Sequence, residues 1–86
     1  MLSFEYVIKD PVGIHARPAG LVVSVCKEFT SKITIEKEGK NPVDAKRLFG
    51  IMGLGVKNGE KIKMTFDGED EAKALEKVKE VLTSNL

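Results

Sequence analysis

The sequence is poor in the features that stabilise secreted and membrane proteins. It has one cysteine, Cys26, which alone can form neither an internal disulfide nor a zinc site and therefore suggests a reducing compartment. Its longest mostly apolar stretch, residues 19–26, is broken by a glycine and a serine and is far shorter than the roughly 20 residues of a membrane span. The first residues show no basic leader. We expect a cytoplasmic protein without membrane insertion.

Neither sign of charge is in excess. Fourteen Lys and Arg residues are nearly balanced by 13 Asp and Glu residues, for a net charge of +1, which argues against nucleic-acid binding. With 86 residues the chain is too short for a TIM barrel or a complete dinucleotide-binding fold. A domain of this size also leaves no room for a large internal substrate cavity. We therefore expect one domain over residues 1–86, with its chemistry at the surface.

Apolar and polar residues alternate in three segments, as they do in strands with one buried face. The alternating segments are residues 2–8, 32–36 and 61–67. A tight turn at residues 38–40 is expected to lead into a short strand around Pro42 and Val43, where a proline suits only a sheet edge. The sequence thus predicts four strands.

Apolar residues at three- and four-residue spacing predict helices between the strands. The first helix is expected from Ala16 to about Phe29, with Cys26 in its buried stripe, and a short helix is expected over residues 46–52. A last helix is expected to hold Glu69, Asp70 and Glu71 in its first turn, where acidic residues complement the helix dipole. The order β-α-β-β-α-β-α predicts an α+β fold, an antiparallel sheet with helices on one face.

The only histidine, His15, lies where a turn meets the first predicted helix, and Pro18 fits the first turn of that helix. Helix N-termini carry unpaired N–H groups and partial positive charge, which disfavour imidazolium and favour a bound anion. A neutral imidazole is a nucleophile. If His15 attacked a phosphoryl donor, the amides of Ala16 and Arg17 and the Arg17 guanidinium could hold the phosphate. The alternative is that His15 and Arg17 are ordinary surface residues.

Residues 13–19, with the sequence GIHARPA, resemble the active-site signature of HPr. HPr is the histidine-containing phosphocarrier of the bacterial phosphoenolpyruvate-dependent phosphotransferase system (PTS). The resemblance continues through residues 29–34, 45–49, 54–55, 59 and 68–71, and covers essentially the whole chain. It implies a two-layer open-faced sandwich whose four strands have the order 1-4-2-3.

The resemblance also implies a reaction. Enzyme I, charged from phosphoenolpyruvate, would phosphorylate Nδ1 of His15, and a sugar-specific enzyme IIA would take the group from it. Arg17 and the amides of Ala16 and Arg17 would bind the phosphate. Such a carrier needs no metal or organic cofactor, does not turn over a substrate by itself, and is expected to be a monomer.

The second predicted helix is expected to form part of a docking surface. A helix this short cannot bury all its large apolar residues, so some of them should be exposed. In the family this helix lies beside the active histidine. The resemblance therefore assigns to the partner-binding surface Leu48, Phe49 and Met52, together with Gly20 of the first helix.

Two positions depart from the family pattern. Where many members have a serine after the lysine that opens the second helix, this chain has Arg47, which has no hydroxyl for a regulatory kinase to phosphorylate. Because arginine cannot accept hydrogen bonds from helix amides, that helix start is expected to rely on Asp44 or water. Gly20, inside the first helix, costs about 1 kcal/mol relative to alanine.

Two alternative functions are considered beside the sugar-transport carrier. One is a regulatory paralogue, as in the nitrogen-related branch of the PTS, whose transfer chemistry serves signalling. The other is RNA binding, since residues 50–53 match the GXXG of KH domains. The apolar Ile51 and Met52 occupy the two variable positions, where a loop that grips phosphate favours basic residues, so the sequence disfavours RNA binding.

Overall fold

The computed structural model describes all 86 residues, Met1–Leu86. The elements in chain order are β1 (Leu2–Val7), α1 (Ala16–Cys26), β2 (Lys32–Lys37), β3 (Val43–Asp44), α2 (Leu48–Gly53), β4 (Lys61–Asp67) and α3 (Glu71–Asn85). The strands form one antiparallel sheet in the order β1-β4-β2-β3. The α+β open-faced sandwich and its strand order are therefore confirmed.

The central strand β4 shows why the sheet has one covered face and one open face. Its apolar residues Ile62, Met64 and Phe66 are buried, whereas Lys61 and Lys63 between them are exposed. The neighbouring strands keep the same alternation, because Met64 lies opposite residue 4 of β1 and residue 35 of β2. The helices cover the apolar face, and the polar face is open.

The buried residues form one hydrophobic core between the sheet and the helices. Helix α1 contributes Ala19, Val22 and Cys26, and α3 contributes Ala74, Val78 and Leu82. Burial raises the pKa of the Cys26 thiol to about 12, so this side chain packs as a neutral group at pH 7. The predicted place of Cys26 in the core is confirmed. No helix of the protein has the length and apolar character required to cross a membrane.

Helix α1 ends earlier than its apolar spacing predicts. It ends at Cys26, three residues before Phe29, and the N–H groups of Glu28 and Phe29 bond to carbonyls three residues back. Such tightening is common in the last turn of a helix. Phe29 packs against the core from the following turn, which explains why it continued the apolar pattern without continuing the helix.

Helix α3 begins at Glu71, so the prediction that Glu69 and Asp70 lie in its first turn is wrong. Asp70 is the N-cap residue, but its carboxylate does not cap the helix. It accepts hydrogen bonds from the backbone N–H groups of Thr30 and Ser31, both at 2.9 Å, and from both hydroxyls. The Ser31 hydroxyl above all, followed by the Thr30 amide, lowers the pKa of Asp70 to about 2. Asp70 thus connects the start of α3 to the turn before β2.

Helix α2 begins at Leu48, two residues later than predicted, and Arg47 is an N-cap residue without a side-chain cap. The Asp44 carboxylate accepts a hydrogen bond from the Lys46 N–H at 2.8 Å, and the Asp44 carbonyl accepts one from the Arg47 N–H at 3.1 Å. Asp44 therefore stabilises the turn that precedes the helix, and not the helix amides for which it was expected. The amides of the helix itself receive no side-chain cap.

The Asp70 contacts predict a specific acid sensitivity. Because the carboxylate is bonded only in the folded state, its stabilisation is complete above the ordinary pKa of 3.8 and is lost as the pH falls towards the folded-state pKa of about 2. We expect Asp70→Asn to lower the thermal midpoint by several degrees at pH 7 and to flatten its decline between pH 4 and 2. Circular dichroism melts across this range measure both effects. Asp67→Asn, at an exposed strand position, is the matched control, and equal effects in the two variants would contradict the assignment.

Candidate functional site

His15 is the N-cap residue of α1, as predicted. Its backbone is extended, with φ −116° and ψ −179°, and its carbonyl accepts the first hydrogen bond of the helix from the Ala19 N–H at 3.0 Å. Its side chain makes no cap bond and is 42% exposed. The amides of Ala16 and Arg17 have no hydrogen-bond partner. An exposed imidazole therefore lies beside two unpaired N–H donors at the positive end of a helix.

The residue that allows this placement is Gly13. It has φ +88°, and a Cβ built on it would lie 2.4 Å from the Val56 carbonyl oxygen and 2.6 Å from the Lys57 Cα. Only a glycine fits such a close backbone approach at a positive φ. The next residue, Ile14, donates its N–H to the same Val56 carbonyl at 3.0 Å. The segment before His15 is thus fixed against the chain that precedes β4.

The segment against which Gly13 packs is stabilised by an ion pair. The Glu60 carboxylate accepts hydrogen bonds from the Lys57 N–H at 2.7 Å and from the Lys37 ammonium at 3.1 Å. These two contacts, the Lys57 bond first, lower the pKa of Glu60. Lys37 also donates to the Gly55 carbonyl at 3.2 Å. The turn against which the histidine segment packs is therefore connected to the end of β2.

A second turn, residues 10–13, brings Asp10 back towards His15. The Asp10 carbonyl accepts a hydrogen bond from the Gly13 N–H at 3.0 Å, and its Oδ1 accepts one from the Val12 N–H at 2.8 Å. Its other carboxylate oxygen, Oδ2, lies 3.7 Å from His15 Nε2. Asp10 was not among the predicted site residues.

His15 and Arg17 line the same open cavity of about 160 Å³, so the structure brings the two principal predicted site residues together. The other lining residues are Asp10, Pro18, Leu21 and Asn85. A histidine and an arginine that line one open cavity, with unpaired amides next to the histidine in the chain, can hold a tetrahedral anion next to a nucleophilic nitrogen. No group of three or more His, Cys, Asp or Glu side chains could hold a metal ion.

The predicted docking residues differ in exposure. On α2, Phe49 is 86% exposed and Met52 is 39% exposed, while Leu48 is half-buried and Ile51 between them is completely buried. The expectation that this helix cannot cover all its apolar residues is confirmed. Helix α2 packs against α1, which carries the half-buried Gly20. A Cβ at Gly20 would meet no atom within 4 Å.

Comparison with known proteins identifies the family. A family model described as "PTS HPr component phosphorylation site" matches residues 2–84. The chain belongs to the HPr family. It is 38% identical over 85 residues to the phosphocarrier protein HPr of Mycoplasma genitalium, a match that covers 99% of this chain and 97% of that protein. The predicted family resemblance is confirmed, and the chain is an HPr phosphocarrier of the PTS.

Two further similarities agree with this assignment. The crystal structure of HPr-C-His from Thermoanaerobacter tengcongensis superposes with a TM-score of 0.91 at 39% identity and covers 98% of this chain and 93% of that one. The multiphosphoryl transfer protein of Salmonella typhimurium is 35% identical over 89 residues, which are 23% of its length and match the whole of this chain. A segment similar to this chain thus also forms part of a longer protein that is named for phosphoryl transfer.

The glycine contacts predict opposite effects of the same substitution at two positions. Gly13→Ala should reduce the free energy of unfolding by more than about 1 kcal/mol, because the methyl group meets the Val56 carbonyl at a positive φ. Gly20→Ala should raise it by up to about 1 kcal/mol, because the position is helical and open. Urea unfolding of the two variants tests this. A stable Gly13→Ala protein would show that the approach to Val56 is not required.

Proposed function

We propose that this HPr accepts a phosphoryl group on His15 from phosphorylated enzyme I and passes it to an enzyme IIA of the PTS. The observation that carries the proposal is the N-cap position of His15, which is next to the unpaired amides of Ala16 and Arg17 and lines one cavity with Arg17. This set provides a nucleophile and anion-binding donors at adjacent positions. Neither a metal nor an organic cofactor takes part in the proposed transfer.

In the proposed step, the lone pair of His15 Nδ1 attacks phosphorus while the bond from phosphorus to the donor histidine of enzyme I breaks. The electron pair of that bond returns to the donor nitrogen, and no further reactant is needed. The Ala16 and Arg17 amides and the guanidinium stabilise the phosphoryl oxygens during the transfer. Passage to enzyme IIA is the same exchange in the opposite direction, with His15 as the leaving group.

The proposed docking surface consists of Leu48, Phe49 and Met52 on α2 and Gly20 on α1. Transfer between two proteins requires short-lived complexes, so the interface should be small, with an apolar centre and a polar rim. The exposed Phe49 supplies such a centre. We further propose that the protein acts in the cytoplasm and as a monomer.

Of the two alternative functions, a regulatory role is compatible with the proposed chemistry and RNA binding is not favoured. A regulatory PTS paralogue would use the same histidine and the same surface, so it shares the proposed chemistry and differs only in its partners. RNA binding through the GXXG motif is not favoured, because residues 50–53 lie within α2 and Ile51 points into the core. A KH-type motif needs a loop whose exposed residues reach phosphates.

The first test of this function is phosphorylation by phosphoenolpyruvate and a generic enzyme I, measured by intact mass. The wild-type protein should gain one acid-labile, base-stable phosphoryl group, and His15→Ala should gain none. Arg17→Gly should fold normally and accept the group at least about tenfold more slowly, because it lacks a donor to the phosphoryl oxygens. Arg17→Lys keeps the charge without the planar fork and should be intermediate. Undiminished phosphorylation of His15→Ala would refute the assignment.

The second test separates docking from stability within one helix. Phe49→Ala should slow transfer from enzyme I about tenfold and shift the unfolding midpoint little, because this side chain is exposed. Its matched control is Ile51→Ala, which empties a fully buried position and should cost about 2–5 kcal/mol of stability. Transfer rates at limiting enzyme I and thermal melts give the two readouts. Normal transfer by Phe49→Ala would contradict a docking role for Phe49.

A further inference from the structure

Asp10 has a carboxylate whose two oxygens face different groups. Oδ1 accepts the Val12 N–H at 2.8 Å, and Oδ2 lies 3.7 Å from His15 Nε2. The backbone of Asp10 is bonded on both sides, since its N–H donates to the Leu86 carbonyl at 2.8 Å and its carbonyl accepts the Gly13 N–H. Its side chain is only 22% exposed. The turn therefore fixes the carboxylate independently of the histidine.

From this arrangement we propose that Asp10 is a positioning residue for the phosphoryl transfer, which keeps the proton of His15 on Nε2 and leaves the lone pair on Nδ1. This inference rests on the proposed function of His15 and adds a residue to it. A carboxylate can only accept hydrogen bonds, and a neutral imidazole has one donor and one acceptor nitrogen. The nitrogen that faces Asp10 is therefore the donor, and the other nitrogen is the nucleophile.

The same carboxylate acts on the product. When Nδ1 binds phosphorus and Nε2 keeps its proton, no proton leaves the ring, and the imidazole carries a positive charge that Asp10 faces. The separation of 3.7 Å in the free protein is longer than a hydrogen bond, and such contacts commonly shorten when the reacting complex forms. Asp10 thus favours both the reactive tautomer and the cationic ring.

The two charged residues beside His15 have different proposed roles. Besides His15, the charged lining residues are Asp10 and Arg17. In the proposed arrangement Asp10 faces the ring at Nε2, while Arg17 and the helix amides hold the phosphoryl oxygens. A negative charge close to the phosphate would oppose binding, but one at the far nitrogen of the ring does not.

The decisive variant is Asp10→Asn. Its side-chain oxygen can still accept the Val12 N–H, so the turn is kept, but the group that faces Nε2 becomes an NH₂ donor. A donor in that place favours the tautomer with the proton on Nδ1, which has no lone pair for attack. Asp67→Asn removes the same charge from an exposed strand position and is the matched control.

Nitrogen-15 NMR of the His15 ring and rapid-mixing phosphorylation by enzyme I are the two measurements. We expect the wild-type protein and Asp67→Asn to hold the proton on Nε2, and Asp10→Asn to show a clear rise of the Nδ1–H form. Phosphoryl acceptance by Asp10→Asn should fall about threefold to tenfold. This loss is smaller than the about 10⁴-fold effect of the equivalent change in a serine protease triad, because water reaches this pair.

The possible outcomes distinguish a failure of this inference from a failure of the proposed function. Unchanged tautomer populations in Asp10→Asn, or a wild-type ring with its proton mainly on Nδ1, would overturn the role of Asp10 whatever the transfer rates are. Phosphorylation of His15→Ala would instead overturn the proposed function. The wild-type spectrum tests the inference even if Asp10→Asn folds poorly.

Discussion

The close approach of the Gly13 backbone to the Val56 carbonyl is the contact on which the site depends. It allows Ile14 to donate to the same carbonyl, and this bond directs the chain into α1 with His15 at the N-cap. The unpaired amides after His15 are a consequence of where the helix begins. A side chain at position 13 would separate the two segments and move the histidine away from the cavity that it shares with Arg17.

The parts of the fold that sequence reasoning predicted are those set by local pattern. Alternating apolar residues determined which face of β4 is buried, and the element order was sufficient for the α+β class. The predicted helix ends were wrong where distant contacts decide them. Phe29 packs against the core from a turn, and Asp70 bonds to Thr30 and Ser31 across the chain, so its place before α3 is set by a tertiary contact and not by the helix dipole.

In the candidate site, too, local sequence predicted some residues, and tertiary contacts place another. His15, Arg17 and the amides between them are neighbours in sequence, and the proline after them indicates where a helix starts, so their grouping could be predicted. Asp10 could not be paired with His15, because a five-residue separation matches neither helix nor strand spacing. The pairing depends on the turn at residues 10–13 and on the bond from Asp10 to Leu86, which is distant in sequence.

The strand order has a consequence for how the protein folds during its synthesis. Residues 8–14 are held by hydrogen bonds to residues 56–60 and to Leu86, and β1 pairs only with β4. During synthesis, His15 therefore lacks its supporting contacts until the residues up to Leu86 have left the ribosome. Contacts of such wide sequence separation form late and slowly. His15, the proposed nucleophile, thus reaches its position together with the finished sheet, and a partly made chain has the motif without the geometry.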